Sequence, residues 1–304
     1  NHEIMMRNSM ASALKFNDLD SPRSNPFRLW KQNGGLKTVD SIREFLLKDY
    51  IIGDRVYTTL TNEVNVDNDI YVHNITKIGH MNDQFNDEIA IAISKGFSID
   101  FSEAAMEEAK AIPQYVLESE KTGRLDLTDE NIFTIDSIHT KDMDDAISIK
   151  KLQNGNYELG VHIADVAHYV KFGSPLFKEA MRRATSVYLG DVVIPMIPSI
   201  LSNGICSLNE GVVRLTKSCI MEINPKGKVV NYTICDSFIK SRKKMTYEEL
   251  NNIFRGEFND ISYLSFIPDL NNARELSNIL SKNKKKKGHI EFESSDIEIK
   301  KDIY

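Results

Sequence analysis

The chain has 304 residues, 41% hydrophobic and 27% charged, which is ordinary for a soluble globular protein of about two domains. A net charge of −6 argues against a surface that binds nucleic acid everywhere, but it is compatible with a local basic channel. No apolar run approaches the roughly 20 residues that span a bilayer, and the N-terminal residues lack the apolar core of a signal peptide. We therefore expect a cytoplasmic protein that has no contact with a membrane.

The cysteine pattern excludes two further classes of protein. The three cysteines, Cys206, Cys219 and Cys235, are far apart in sequence and form no Cys-x-x-Cys pair. This pattern argues against a disulfide framework or a zinc site and predicts reduced thiols. The sequence begins at Asn1 rather than Met, which suggests part of a longer protein.

The first third of the chain contains weak signals for a small β domain. Residues 1–48 are polar and stay unassigned, apart from a short helix predicted at 41–48. Residues 49–86 alternate β-branched and aromatic residues between Asn and Asp turns, which predicts part of an OB-like, cold-shock-like β-barrel. Its aromatic residues fit either a stacking platform for bases or core packing. They are Tyr57, Tyr71 and His73.

A helical linker is predicted over residues 87–130. Within it, the apolar spacing from Phe101 to Glu120 predicts a helix that Ser102 caps and Pro113 kinks or restarts.

Strands and helices alternate after residue 131, which predicts an α+β domain over 131–304. The pair Asn154-Gly155 lies between two β-rich runs and predicts a hairpin with a type I′ turn. Ser174-Pro175 predicts a helix start, and Thr246 with Glu249 forms a capping box. Other predicted features are a second hairpin turning at 225–227, a last helix that includes residues 270–280 and a lysine run at 284–287.

Four carboxylates lie between a predicted strand end and the next strand, in the stretch DSIHTKDMDDA. They are Asp136, Asp142, Asp144 and Asp145. Oxygen ligands of this kind suit magnesium, and two such ions would activate a water and stabilise the leaving oxygen of a phosphodiester. A solvated acidic loop explains the spacing equally well. An EF-hand loop is the weaker alternative, because no start position gives its required glycine.

His162, Asp165 and His168 form a second candidate, a His-x-x-Asp-x-x-His spacing that a transition metal could use. His162 lies among alternating apolar residues of a predicted strand. We therefore favour core and turn residues that support the acidic loop, with Asp165 as an outer partner of its ligands.

The stretch TIDSIHTKDMDDAISI resembles the signature of the ribonuclease II and ribonuclease R family of exoribonucleases. The similarity continues through NGNYELGVHIADVAHYVKFGSPLFKEAMRRATSVYL and FIKSRKKMTYEEL, and the bacterial ribonuclease R branch is the most similar. It implies a mixed α/β catalytic domain and processive 3′-to-5′ hydrolysis of single-stranded RNA to nucleoside 5′-monophosphates, dependent on Mg²⁺. It further implies a monomer whose catalytic domain continues beyond Tyr304.

The resemblance also implies roles for individual residues. Asp136, Asp142 and Asp145 fall on the metal-binding positions, and Asp144 and Asp142 on positions required for catalysis. Tyr188 falls on the aromatic residue that stacks on the 3′-terminal nucleotide. Residues implied to grip the RNA backbone are Arg214, Lys240, Arg242, Lys243 and Lys244.

Two other functions stay open. A non-catalytic RNA-binding module with an incomplete active site would bind RNA without metal and independently of the aspartates. A different magnesium phosphoesterase would act on DNA as readily as on RNA, because contacts to the ribose 2′-OH are what distinguish the two.

Overall fold

A computed structural model of the chain describes residues 53–64, 70–190, 192–257 and 260–290. The chain divides into two compact units. The first comprises residues 1–100 and 187–194, and the second residues 101–186 and 195–304. The predicted helix at 41–48, the turn between the first two strands and the side chains of Tyr71 and His73 lie outside what is described.

The first unit contains an antiparallel strand pair, β1 (Asp54–Val64) and β2 (Ile70–His80), which confirms the predicted strands. An ion pair of 2.8 Å between Lys77 and Asp54 joins them. Helix α1 (Asn86–Ser94) follows β2. The predicted barrel stays a prediction, since the described residues of this region form one two-stranded ladder.

The second unit is built on a mixed sheet of seven strands, which confirms the α+β class. The strands are β3 (Leu125–Leu127), β4 (Phe133–Asp136), β5 (Asp145–Lys151), β6 (Tyr157–Ala164), β9 (Val213–Ile223), β10 (Val229–Lys240) and β11 (Lys243–Thr246). Their order in the sheet is β11-β4-β5-β6-β9-β10-β3, in which β3 and β11 run parallel to their neighbours and the other pairs are antiparallel. The hairpin of β7 (Val187–Leu189) and β8 (Val192–Ile194) belongs to the first unit.

Helices precede, interrupt and follow these strands along the chain. They are α2 (Glu103–Ala111), α3 (Val166–Tyr169), α4 (Pro175–Arg183), α5 (Tyr247–Arg255) and α6 (Ile267–Lys286), with short helical turns at Glu118–Lys121, Leu201–Ile205 and Ile261–Phe266. The capping predictions at Ser174 and Thr246 are confirmed: each side chain accepts a hydrogen bond from a backbone N–H of the first helical turn. The lysine run forms the last turn of α6 and the residue after it.

Two local predictions were confirmed only in part. The helix predicted from Phe101 to Glu120 ends at Ala111, and a separate turn forms at Glu118–Lys121, because Pro113 holds the residue before it in an extended conformation. The hairpin at Asn154-Gly155 exists, but only Gly155 has a positive φ, of 80°. Its loop closes through bonds between Leu152 and Asn156 and from Gly155 N–H to Leu152, which is a longer connection than a type I′ turn.

Candidate active site

The acidic stretch forms the loop between β4 and β5. Asp136 is the last residue of β4 and Asp145 the first of β5, so the ladder fixes the backbone at both ends of the loop. The backbone N–H of Ala164 on β6 donates to the Asp144 carbonyl at 2.9 Å. Asp142 is half-buried and Asp144 exposed, whereas Met143 between them is buried in the core. The alternation places both carboxylates outside and anchors the loop by the residue between them.

Contacts from two distant segments hold the same loop. The Ser207 hydroxyl donates to the Lys141 carbonyl at 2.9 Å and accepts from the Met143 N–H at 3.0 Å. The N–H of Leu208 donates to the Met143 carbonyl at 2.9 Å. From β11, Nζ of Lys244 donates to the Thr140 carbonyl at 2.5 Å.

The four carboxylates lie close enough to perturb one another. The pKa of Asp144 is raised. The main cause is the loss of water around the carboxyl group where protein atoms pack against it, and repulsion from the other three aspartates adds to it. Burial also raises the pKa of Asp136, while the neighbouring Thr134 hydroxyl and Lys244 offset part of the increase. Repulsion between the carboxylates therefore adds to the larger effect of burial in raising these two pKa values.

The carboxylate oxygens of the acidic loop are ligands that a divalent cation prefers, but the described residues contain no complete, preformed set of metal ligands. Oδ2 of Asp136 is buried and makes no hydrogen bond, a costly state for a carboxylate oxygen that a cation would relieve. Among the described residues, no three His, Cys, Asp or Glu side chains gather closely enough to hold a metal ion. Magnesium does not require that, because it binds through one or two carboxylates, waters and substrate phosphate.

Comparison with known proteins identifies this arrangement. The RNB domain matches residues 124–303, which include the whole acidic loop and the strands that carry it. The chain belongs to the RNB domain family.

Named relatives agree with the RNB assignment. The chain is 51% identical over 201 residues to Ribonuclease R of Thermotoga maritima, covering 66% of this chain and 28% of that protein. It is 45% identical over 223 residues to Ribonuclease R 1 of Lactococcus lactis, covering 73% of this chain and 27% of that protein. Mycoplasma genitalium RNase R, solved with ribose-methylated single-stranded RNA, superposes with a TM-score of 0.75 at 27% identity, over 84% of this chain and 40% of that one. The chain thus spans under half the length of these three relatives.

Four of the five cations predicted to grip RNA contact other groups of this RNB chain, three of them in or next to β11. Arg242 donates to the Thr128 carbonyl at 2.8 Å, and Nζ of Lys243 lies 5.0 Å from the ring centroid of Tyr263. Lys244 binds the acidic loop, as described above. Lys240 is half-buried at the end of β10. Contact of these residues with RNA stays a prediction.

Arg214, the fifth of these cations, bonds to backbone carbonyls of the same unit. It is buried, and its guanidinium donates from Nε to the Ser207 carbonyl at 2.9 Å and from Nη1 to the Val213 carbonyl at 3.0 Å. A buried guanidinium bonded to carbonyls stabilises the backbone, and its contact with RNA stays a prediction. Tyr188, on β7 of the first unit, is 64% exposed, and its stacking on a base also stays a prediction.

The His-x-x-Asp-x-x-His residues make separate contacts, which supports the interpretation as core and turn residues. His162 is 1% exposed, its ring nitrogens contact the hydroxyls of Ser218 at 2.6 Å and Ser148 at 3.2 Å, and burial lowers its pKa to about 4. Asp165 and His168 contact Arg124 instead, at 2.7 and 3.3 Å. These two residues therefore attach the segment before β3 to the domain. The sequence analysis expected them to support the acidic loop, but their side chains bond elsewhere.

Sequence reasoning missed Ser207, because its contacts join residues 64 and 66 positions apart along the chain. Nothing in the stretch NGICSLNEG marks this serine as different from a core or turn residue.

In the part of the chain that is described, no helix is both long and apolar enough to cross a membrane.

Proposed function

We propose that the chain carries the acidic half of the active site of a 3′-to-5′ exoribonuclease. The enzyme would hydrolyse single-stranded RNA processively to nucleoside 5′-monophosphates in RNA decay and processing, as a cytoplasmic monomer. The observation that carries the proposal is the position of Asp136, Asp142, Asp144 and Asp145 on one loop of an RNB domain, with the pKa values of two of them raised. The single-stranded RNA bound to Mycoplasma genitalium RNase R supports the choice of substrate.

In this proposal Asp136, Asp142 and Asp145 hold magnesium, which when bound neutralises phosphate charge and lowers the pKa of water. The orphaned Oδ2 of Asp136 supports that assignment. Asp144 acts on the proton: its carboxylate accepts a proton from the attacking water, and a raised pKa makes it a stronger base at neutral pH. Tyr188 stacks on the terminal base without reading its identity, which suits degradation of any sequence.

The test uses a 5′-labelled RNA of about twenty nucleotides with this chain and Mg²⁺, analysed on a sequencing gel. We expect a ladder that shortens from the 3′ end, is abolished by EDTA, and falls at least about a hundredfold in rate in Asp144→Asn. Glu107→Gln is the matched control, because it makes the same carboxylate-to-amide change at an exposed site on α2.

An intact RNA that still binds the chain would replace the proposal with the non-catalytic RNA-binding module. Equal competition by DNA and RNA of the same sequence would favour the general phosphoesterase.

A further inference from the structure

A serine far from the acidic loop in sequence bridges the two peptide groups that flank Asp142. The Ser207 hydroxyl donates to the carbonyl of Lys141 and accepts from the N–H of Met143, at 2.9 and 3.0 Å. Ser207 is 0% exposed, so neither bond competes with water. Both backbone groups are thus fixed relative to the hydroxyl.

The next residue adds a third bond to the same place. Leu208 donates its N–H to the Met143 carbonyl at 2.9 Å, so both backbone polar groups of Met143 bond to residues 207 and 208. The side chains of Met143 and Leu208 belong to the same buried cluster. Residue 143 therefore cannot rotate without breaking two hydrogen bonds and a packed contact. Its neighbours Asp142 and Asp144 are held with it.

Arg214 holds the serine from the other side. Its Nε donates to the Ser207 carbonyl at 2.9 Å and its Nη1 to the Val213 carbonyl at 3.0 Å, both from a buried position on β9. A buried cation needs its donors satisfied, so these bonds restrict where residue 207 can move. The contacts form a continuous connection from β9 through Ser207 to the acidic loop.

We propose that Ser207 is a positioning residue of the active site. Its hydroxyl sets the spacing of the Asp142 and Asp144 carboxylates for a divalent cation, and Arg214 acts through the Ser207 backbone. The inference rests on the proposed function, because it assumes that these carboxylates bind a divalent metal. It gives Arg214 a role in metal affinity rather than in RNA binding.

The test measures metal binding directly, without RNA or turnover. Purified chain is titrated with Mn²⁺, and free Mn²⁺ is followed by its electron paramagnetic resonance signal. We expect Ser207→Ala to weaken Mn²⁺ binding at least about tenfold, the usual effect of losing a group that orients metal ligands. RNA affinity in EDTA should stay within about twofold of wild type, because the hydroxyl is buried and contacts only the loop.

The matched control is Ser237→Ala. Ser237 is also 0% exposed, and its hydroxyl bonds to those of Thr216 and Ser218 within the sheet, at 2.7 and 2.6 Å. The Ser237→Ala variant loses a buried hydroxyl, as Ser207→Ala does, but it should leave the Mn²⁺ affinity unchanged. Circular dichroism verifies that each variant is folded. If Ser207→Ala does not fold, Ser207→Cys fills the site with a slightly larger side chain and weakens its hydrogen bonds.

The outcomes separate the two proposals. Tight Mn²⁺ binding by wild type and equally tight binding by folded Ser207→Ala or Ser207→Cys would overturn the positioning role alone. Equal weakening by Ser237→Ala would also overturn it, since any lost buried hydroxyl would then suffice. No Mn²⁺ binding by wild type would overturn the metal site of the proposed function and the positioning role with it.

Discussion

Two individual carboxylates in the acidic loop, those of Asp136 and Asp144, lower the stability of the folded chain. Asp144 is repelled by Asp142, Asp145 and Asp136, and Oδ2 of Asp136 is buried without a hydrogen bond. A folded pKa above its unfolded value means that deprotonation at neutral pH favours unfolding. These two side chains therefore do not stabilise the fold, which agrees with the role in chemistry that we propose for them.

We therefore predict that Asp144→Asn, besides slowing cleavage at least about a hundredfold, raises thermal stability. Removing one like charge relieves the repulsion, but the side chain is exposed and water screens the effect to below about 1 kcal/mol. Calorimetry should show a Tm that is higher by no more than about 3 °C. Glu107→Gln should leave the Tm unchanged. A lower Tm for Asp144→Asn would mean that the carboxylate stabilises the fold.

At the scale of elements, β11 connects the acidic loop to a helix. Thr246 ends β11 in register with Asp136 on β4, and it is also the N-cap of α5. Its hydroxyl accepts from the Glu249 N–H at 3.1 Å, and its N–H donates to Oε2 of Glu249 at 2.8 Å. One residue thus ends the strand beside Asp136 and begins the helix that follows it.

We predict that Thr246→Ala lowers the free energy of unfolding by about 1 kcal/mol, the usual value of an N-cap. Urea denaturation followed by circular dichroism measures the change. Thr122→Ala, which alters an exposed threonine outside any helix, is the control and should have no effect. Unchanged stability in Thr246→Ala would show that packing alone maintains the start of α5.

For the whole molecule, the sheet contains a buried polar chain that makes its stability depend on pH. It runs through hydroxyls of β5, β9 and β10 and through the ring of His162 on β6. Gly160 makes room for it, because a Cβ there would lie 2.4 Å from the Ser148 hydroxyl and 2.8 Å from Nε2 of His162. The ring is held neutral, with a folded pKa of about 4 against an ordinary 6.5.

The unfolded chain binds a proton at His162 more readily than the folded chain does. The free energy of unfolding therefore loses nothing from this residue above about pH 6.5 and falls as the pH drops toward 4. By pH 5 the loss is about 2 kcal/mol from this residue alone. Asp136 and Asp144 act in the opposite sense, since their raised pKa values favour folding as they become protonated. The measurement is therefore the difference in unfolding free energy between wild type and His162→Gln at pH 7.5 and pH 5.

We expect that difference to shrink or reverse at pH 5, because His162→Gln lacks the titrating ring. His289→Gln, at an exposed histidine, is the control for the change of residue type. A difference for His162→Gln that stays constant between the two pH values would mean that the ring is not held neutral.

Much of the second unit follows from local sequence. The period-2 runs predict β4, β5, β6, β9 and β10, and the caps at Ser174 and Thr246 predict two helix starts, because strand periodicity and capping depend on residues a few positions apart. Pro113 predicts a kink or a restart of the helix but not that the helix ends at Ala111, before the proline. The Asn154-Gly155 pair predicts the hairpin but not its turn, since the ladder decides how many residues the loop needs.

The sequence by itself determined the long strands and two helix starts of the second unit, the family resemblance and the four aspartates, because each is a short pattern. Only the tertiary structure decided that Arg214 is buried against Ser207, that Lys244 bonds to the acidic loop, and that His162, Asp165 and His168 make separate contacts. These are contacts between strands and loops up to 104 positions apart, and no local pattern encodes which residues meet. Their partners are fixed by strand order and register, which the packing of the whole sheet selects.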